Sequence, residues 1–264
     1  MGVIALYPSD LAVASLLILG DALISLVFRL RFHRSLIVAA ARMVVQLVAI
    51  GFVLRFVFAV GQTWLTLTLI VAMVLVAARE AAARPSRRLR RGGFLISLAS
   101  VATPALLTCL FALLTAIRPH PLLSPQYAIP LAGIILGNVL NAASIAFSGV
   151  FDGVGANAAA IEARLMLGDS YRTAIADLSR DAIRRSMIPI VNQMSAAGVV
   201  TLPGIMTGQI LAGLDPMEAV KYQILLMFLL AGGSCLASVA AVSLATARLT
   251  DPRGRLRLDR LADR

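Results

Sequence analysis

The chain has little of what soluble enzymes and metal-binding domains depend on. Only 14% of its 264 residues are charged, 6% are aromatic, and there are two cysteines and two histidines. Cys109 and Cys235 lie in separate apolar runs without C-x-x-C spacing, so the sequence indicates neither a disulfide framework nor a thiolate metal site. His33 and His120 fall on opposite sides of the predicted membrane topology. This disfavours a membrane enzyme with a clustered catalytic site.

Lysine and acidic residues are also scarce. The single lysine, Lys221, lies outside any G-x-x-x-x-G-K-[ST] motif, so we expect no nucleotide-binding loop, no bound cofactor and no enzymatic activity in this chain. Thirteen acidic residues stand against 24 basic ones, giving a formal charge of +11. The basic residues are nearly all arginines in short loops and in the tail, without interleaved aromatic residues. This pattern favours a membrane-topology signal over nucleic-acid binding.

What the chain has in excess is apolar sequence. Hydrophobic residues make up 59% of it and its mean hydropathy is +0.89, which indicates a polytopic membrane protein. Because a membrane helix needs about 20 mostly apolar residues, we predict an all-α fold with about seven transmembrane helices. The predicted spans are residues 11–28, 36–60, 64–78, 94–117, 127–150, 187–211 and 220–247.

Arginine clusters predict the orientation of these spans. One cluster follows the first run, six arginines lie within residues 79–91, and more occupy the C-terminal tail. By the positive-inside rule these segments stay in the cytoplasm. The N-terminus is then outside, the C-terminus is cytoplasmic, and residues 1–264 form a single transmembrane domain of the cytoplasmic (inner) membrane.

The longest stretch that a bilayer would not accept runs from Ile161 to Arg185. Residues 156–167 have helix-forming composition, Gly168 supplies a stop, and Asp169 and Ser170 are N-cap candidates for a second helix that ends near Arg185. The sequence therefore predicts a water-facing helical elbow at about residues 152–186, here called the elbow. An ordinary solvated hairpin is the alternative to a docking surface.

Polar side chains within the predicted spans are candidates for a substrate path, because such groups are costly in hydrocarbon. The same side chains also suit structural roles: Arg42 could reach the inner surface or pair with Asp21, the amides could join packed helices, and Gly204 and Gly208 have the spacing of a helix-dimer motif. No residue cluster identifies a metal site. The candidates are Arg42, Gln46, Asn138, Asn141, Asn192, Gln193, Met206 and Gln209.

Several stretches resemble a known family. Glu162, Ala163 and Gly168 resemble the E-A-A-x-x-x-G signature of ABC-transporter permeases, although Arg164 stands at the third position and the Ile188-Pro189 element falls late. From about Ala41 to Phe228 the chain resembles the FetB-like permeases, a family of iron-export ABC transporters whose plant relatives are associated with aluminium tolerance. The stretches are Ala41-Arg42, Gln46-Leu47, IPLAGIILGN (129–138), LMLGDSYRTA (165–174), RDAIRRSMIP (180–189) and VVTLPGIMTGQILAGLDPMEAVKYQI (199–224).

The resemblance implies a permease subunit that exports a metal ion, with iron the expected cargo. ATP and Mg would be bound by a separate cytoplasmic ATPase, and two copies of this chain would pair with two ATPases in the lipid bilayer, with no nucleic acid involved. An ion-coupled secondary transporter, or a permease for aluminium-related or sugar-nucleotide cargo, is the alternative. The residues implied for ATPase docking are Glu162, Ala163, Leu167, Gly168, Asp169, Tyr171 and Ala174.

Overall fold

The computed structural model describes residues 7–30 and 32–263. It confirms an all-α fold, with ten α-helices among the described residues and two strands of three residues each. The α-helices are α1 (Pro8–Val27), α2 (His33–Val60), α3 (Thr63–Ala83), α4 (Gly93–Ala112), α5 (Pro125–Ala156), α6 (Ala158–Met166), α7 (Tyr171–Ala174), α8 (Ala176–Ala196), α9 (Gly204–Leu211) and α10 (Pro216–Arg248). The strands are β1 (Arg87–Leu89) and β2 (Leu261–Asp263).

Six helical segments are long and apolar enough to cross a membrane. They are residues 9–27, 33–60, 63–83, 93–117, 125–156 and 216–248, the fourth being α4 with the π-helical turn Leu113–Ile117 that follows it. Each corresponds to one of the predicted runs. The polytopic character of the chain is therefore confirmed, while the orientation of its termini stays a prediction.

The run predicted as the sixth span, residues 187–211, is not one helix. Helix α8 ends at Ala196, and α9 begins only at Gly204. Between them Gly198 has φ +81°, and the backbone N–H groups of Val200 and Thr201 both bond back to the carbonyl of Ala196. A left-handed glycine and a proline, Pro203, account for the interruption, because neither continues an α-helix.

The described chain divides into two compact units. The first comprises the residues up to Gln62 together with Leu211–Gly213. Within it α1 packs against α2, and the Ser25 hydroxyl accepts the N–H groups of Phe32 (3.2 Å) and His33 (3.1 Å), which fixes the connection between the two helices. Few other side chains of α1 and α2 are buried, as expected of apolar helices whose outer faces meet lipid or another subunit.

The second unit comprises residues 63–210 and 214–264, with α5 at its centre. Helices α3, α4, α8 and α10 all pack against α5, whose Ile135, Val139, Val150 and Val154 are fully buried. Small residues allow close approach: a Cβ added at Gly133 would lie 3.2 Å from the Met73 methyl group, and one at Gly233 would lie 3.2 Å from the Thr108 hydroxyl. Tight packing of this kind is how helices associate in a membrane, where no hydrophobic effect drives them together.

The C-terminal tail is held against the arginine-rich segment that follows α3. Strands β1 and β2 pair antiparallel, with Leu89 opposite Leu261. The backbone N–H of Arg90 donates to the carbonyl of Arg260, whose guanidinium donates to the carbonyls of Arg248 (2.7 Å) and Thr250 (3.0 Å). The two basic segments that the topology prediction assigns to the cytoplasm thus lie together.

Candidate functional site

The first half of the elbow is a short helix with a sharply defined end. Helix α6 follows α5 after Asn157 and closes at Leu167. Gly168 has φ +98°, its N–H donates to the carbonyl of Leu165, and the N–H of Asp169 donates to the carbonyl of Arg164, both at 3.1 Å. This is the Schellman ending, which requires the left-handed backbone that glycine adopts most easily. The predicted stop at Gly168 is confirmed.

The second half of the elbow differs from the prediction. Ser170 is the N-cap, since its hydroxyl accepts the N–H of Thr173 at 3.2 Å, but the helix that it starts, α7, ends at Ala174. Ile175 (φ −103°, ψ 2°) separates α7 from α8, and α8 runs on to Ala196 instead of ending near Arg185. Ile175 is buried, so the break places an apolar side chain in the core and redirects the chain along α5.

The base of the elbow is fastened to the helices of the second unit. The Tyr171 hydroxyl donates to the carbonyl of Thr246 near the end of α10, at 3.1 Å, and burial raises the pKa of Tyr171 to about 12. A Cβ added at Gly149 would lie 3.0 Å from that of Ala182, so α8 and α5 are in close contact. A displacement of the elbow would therefore act directly on α5 and α10.

A single arginine holds the bend of the elbow in place. The Nε atom of Arg164 lies 2.8 Å from a carboxylate oxygen of Asp169, and one of its Nη atoms lies 3.4 Å from the carbonyl of Ala174 and 3.9 Å from Asp177. These contacts join the end of α6 to the starts of α7 and α8. The fork of donors on one guanidinium makes the two hydrogen bonds and the longer ion pair compatible.

The tip of the elbow exposes apolar side chains. Met166 is 82% exposed and Leu167 is 87% exposed, and Glu162 and Ala163, one turn earlier in α6, are exposed as well. Two large apolar side chains side by side on an otherwise polar segment have no partner within the described chain. Such a feature is typical of a surface that another protein covers.

The structure separates the seven docking candidates into two groups. Glu162, Ala163, Leu167 and Gly168 lie on the outer surface, and Asp169 is half-buried in its ion pair with Arg164. Tyr171 and Ala174 face inward, the first bonded to α10 and the second 7% exposed. These two can position the tip but do not present a contact surface, because their side chains are already packed against this chain.

A groove of about 820 Å³, lined by both apolar and charged residues, runs beside the elbow, between α5, α6 and α8. Its charged residues carry both signs. The Ser86 hydroxyl donates to Asp152 at 2.7 Å, and Asp181 pairs with Arg185 at 2.6 Å. The charged lining comprises Asp152, Arg164, Asp177, Asp181 and Arg185.

The path candidates on α2 belong to the first unit and those on α5 to the second. Arg42 and Gln46 lie exposed on α2, in the first unit. Asn138 donates to the carbonyl of Ile134 in its own helix at 3.1 Å, and the Asn141 side-chain oxygen accepts from Arg84 at 2.5 Å. Asn141 therefore has a structural partner that the sequence did not reveal, because Arg84 is 57 residues away along the chain.

The remaining candidates flank the interruption between α8 and α9. Asn192 and Gln193 lie exposed in the last turns of α8, and Met206 and Gln209 are half-buried on α9. The Gln209 side-chain oxygen is buried without a hydrogen-bond partner in the described chain, and Gln223 on α10, which was not among the predicted residues, shows the same feature. The sequence did contain a signal for Gln223, because this residue is a lone amide in the apolar run of α10.

None of the path candidates lines any of three cavities in the described chain. The cavities of about 820, 480 and 390 Å³ are lined by other residues. Within residues 7–30 and 32–263, no three His, Cys, Asp or Glu side chains lie close enough together to hold a metal ion.

Comparison with known proteins places the fold and the elbow in a family. The family model described as "Uncharacterised protein family (UPF0014)" matches residues 8–250. The chain belongs to this family. It is 38% identical over 229 residues to the UPF0014 membrane protein slr1647 of Synechocystis, covering 86% of this chain and 87% of that one. The region matched by the family model, residues 8–250, includes every long helix and the whole elbow, so this chain is a multi-pass membrane protein.

Two further relatives have more specific names. The chain is 31% identical over 247 residues to the "Probable iron export permease protein FetB" of Escherichia coli, covering 94% of this chain and 93% of that protein. It is 28% identical over 233 residues to "Protein ALUMINUM SENSITIVE 3" of Arabidopsis thaliana, covering 88% and 84%. The resemblance expected from the sequence is thereby confirmed. No solved structure matches the chain.

Proposed function

We propose that this chain is the permease subunit of an ABC transporter that exports a metal ion, with iron as cargo, across the cytoplasmic membrane. The observation that carries the proposal is the elbow: an exposed apolar tip at Met166 and Leu167 on a base fastened to α5 and α10. The name of the E. coli relative supports the permease role and the choice of iron. ATP would be hydrolysed by a separate ATPase subunit.

The geometry of the elbow suits force transmission. An ATPase that binds the tip would displace α6 when it changes conformation. The Schellman turn and the Arg164 contacts would transmit this displacement to Tyr171 and α8. Because Gly149 leaves no gap between α5 and α8, those helices would move together. ATP binding and hydrolysis would thus switch the membrane helices between inward-facing and outward-facing states. Two copies of this chain would complete the path.

Complex formation tests the docking role. The tagged chain is co-expressed with each unfused ABC-type ATPase of its organism, and the purified complex is weighed by native mass spectrometry. We expect two copies of each subunit. The double variant Met166→Asp, Leu167→Asp should weaken the complex by at least about a hundredfold, because two side chains lose apolar burial and two carboxylates lose water.

A matched control uses the other end of α10. Met217, at the start of α10, is 65% exposed. With a rise of 1.5 Å per residue, it lies about 44 Å along the helix from Thr246, whose carbonyl accepts the Tyr171 hydroxyl. Met217→Asp should leave the complex intact. If the double variant binds as tightly as the wild type, the elbow is not the docking surface. If the chain moves metal in liposomes that contain no ATPase, it is a secondary transporter and the proposal fails.

A further inference from the structure

A second cavity, away from the elbow groove, is surrounded by arginines. It measures about 480 Å³ and lies between the end of α3, strand β1, the start of α4 and the C-terminal part of α5. We call it the basic pocket. Arg79, Arg88 and Arg90 line it together with the backbone of Gly92 and Gly93, and its described lining residues include no carboxylate.

One of these arginines has unused hydrogen-bonding capacity inside the cavity wall. An Nη atom of Arg88 donates to the carbonyl of Ala83, but its Nε atom is buried and has no hydrogen-bond partner in the described chain. A buried donor on a charged group without a partner is costly, and the negative charge of an anion in the pocket would favour the guanidinium in this position. The Nε atom of Arg90 donates to the carbonyl of Leu261, and this hydrogen bond does not use the Nη atoms of the same guanidinium.

The start of α4 adds backbone donors to the same cavity. Gly92 is the N-cap, with φ +77°, and has no side chain to accept the first N–H groups of the helix. The positive end of a 20-residue helix dipole therefore meets the pocket uncapped. The guanidinium of Arg248 also approaches, since a Cβ added at Gly92 would lie 3.7 Å from it.

The remaining walls of the basic pocket are apolar. Phe147 and Phe151 of α5 are buried and stacked, with ring centroids 5.7 Å apart. The pocket lies at the ends of two helices that are long enough to cross a membrane, because α3 ends at Ala83 and α4 begins at Gly93. Beside it Phe94 and Leu95 are exposed apolar side chains on the outer face of α4. A ligand here would place an anionic group among arginines and its apolar part along this face.

We propose that the basic pocket binds a phosphate anion, supplied by the headgroup of an anionic phospholipid. The arginines and the α4 N-terminus hold the phosphate, while Phe94 and Leu95 contact the acyl chains. Basic pockets at helix ends on the cytoplasmic side of membrane proteins take such headgroups. The bound lipid would brace β1 and the C-terminal tail, which pairs with it. This site does not depend on the ATPase or on the transported cargo.

Lipid retention tests the proposal. The detergent-purified chain is titrated with phosphatidylglycerol, phosphatidylcholine or inorganic phosphate, and binding is followed by native mass spectrometry and by thermal stability. The wild type should retain and be stabilised by phosphatidylglycerol only. Arg79→Gln, at an exposed position, should bind it about fivefold more weakly, and Arg79→Gln, Arg88→Gln about 25-fold, at about fivefold per basic residue.

Arg253→Gln is the matched control, because it removes the same charge from an exposed position in the tail loop outside the pocket. It should bind phosphatidylglycerol within about twofold of the wild type, which a general charge effect would not allow. Equal retention by the wild type and the double variant would overturn the site. Equal stabilisation by inorganic phosphate would overturn the lipid as its source. If the double variant fails to fold, the single Arg79→Gln variant decides.

Discussion

Tyr171 shows how one residue links the elbow to the membrane helices. Its hydroxyl bonds to the Thr246 carbonyl, and its surroundings favour the neutral phenol. A buried tyrosine of this kind contributes stability through the hydrogen bond and through the low polarity around the ring. Any variant that removes the hydroxyl frees the start of α7 from α10.

Replacement of Tyr171 by Phe should lower the free energy of unfolding by about 1 kcal/mol, the value of one lost hydrogen bond with its acceptor left unpaired. The pH dependence should change as well. The pKa of Tyr171 is raised from 10.0 to about 12 on folding. The unfolded chain thus loses this proton first, and stability falls as pH rises from 10 toward 12.

Thermal unfolding of both proteins in detergent at pH 8, 10 and 11 measures this difference. The wild type should lose more stability than Tyr171→Phe between pH 10 and 11, since the variant lacks the titrating group. Equal losses would show that the phenol is not buried in the folded protein.

Gly168 fixes the end of α6 by its backbone rather than by its contacts. Gly168→Ala should destabilise the elbow by about 1 kcal/mol, because φ is +98° there and alanine adopts that backbone conformation at a cost. A steric clash would not contribute, since a Cβ would meet nothing within 4 Å. Gly137→Ala is the control, as that helical position is equally open. Amide hydrogen exchange of residues 158–170 should rise in the first variant and stay unchanged in the second. A rise in both would refute the special role of Gly168.

At the scale of elements, the sequence predicted the long helices well and the polar ones partly. Apolar runs of membrane length identify α1 to α5 and α10 because hydrophobicity alone decides them. Gly168 and Ser170 mark the elbow turn because capping is a local property. The break at Ile175 was not predictable in this way, since it depends on burial against distant helices. The same holds for the pairing of β1 with β2, in which Leu89 and Leu261 come from distant parts of the chain.

The α5–α8 contact should be the most sensitive helix pair. Gly149→Ala places a Cβ 3.0 Å from the Cβ of Ala182 and 3.2 Å from its Cα, and the backbone cannot yield cheaply. We expect a loss of about 1 to 3 kcal/mol, as for overpacked cores. Gly208→Ala, where nothing lies within 4 Å, is the control and should be neutral or stabilising by up to about 1 kcal/mol, because alanine favours the helix. A drop in melting temperature for Gly149→Ala alone would confirm the contact, and equal melting temperatures would contradict it.

For the whole molecule, the candidate site was predictable in outline only. The elbow was found from its polarity, but the sequence could not show that Ala174 is buried while Met166 is exposed. The path candidates were chosen one by one for polarity within apolar runs. Whether Asn141 is free or bonded depends on Arg84 in the segment that follows α3, which composition and spacing do not reveal.

In the proposed mechanism, ATP hydrolysis by a docked partner drives metal export through this chain. The most direct measurement is the movement of radioactive iron across liposomes that contain the chain and its ATPase. ATP should accelerate iron movement at least about tenfold, and the Met166→Asp, Leu167→Asp variant should abolish that acceleration while Met217→Asp retains it. Iron movement that is indifferent to ATP, or unaffected by the elbow variant, would contradict this mechanism.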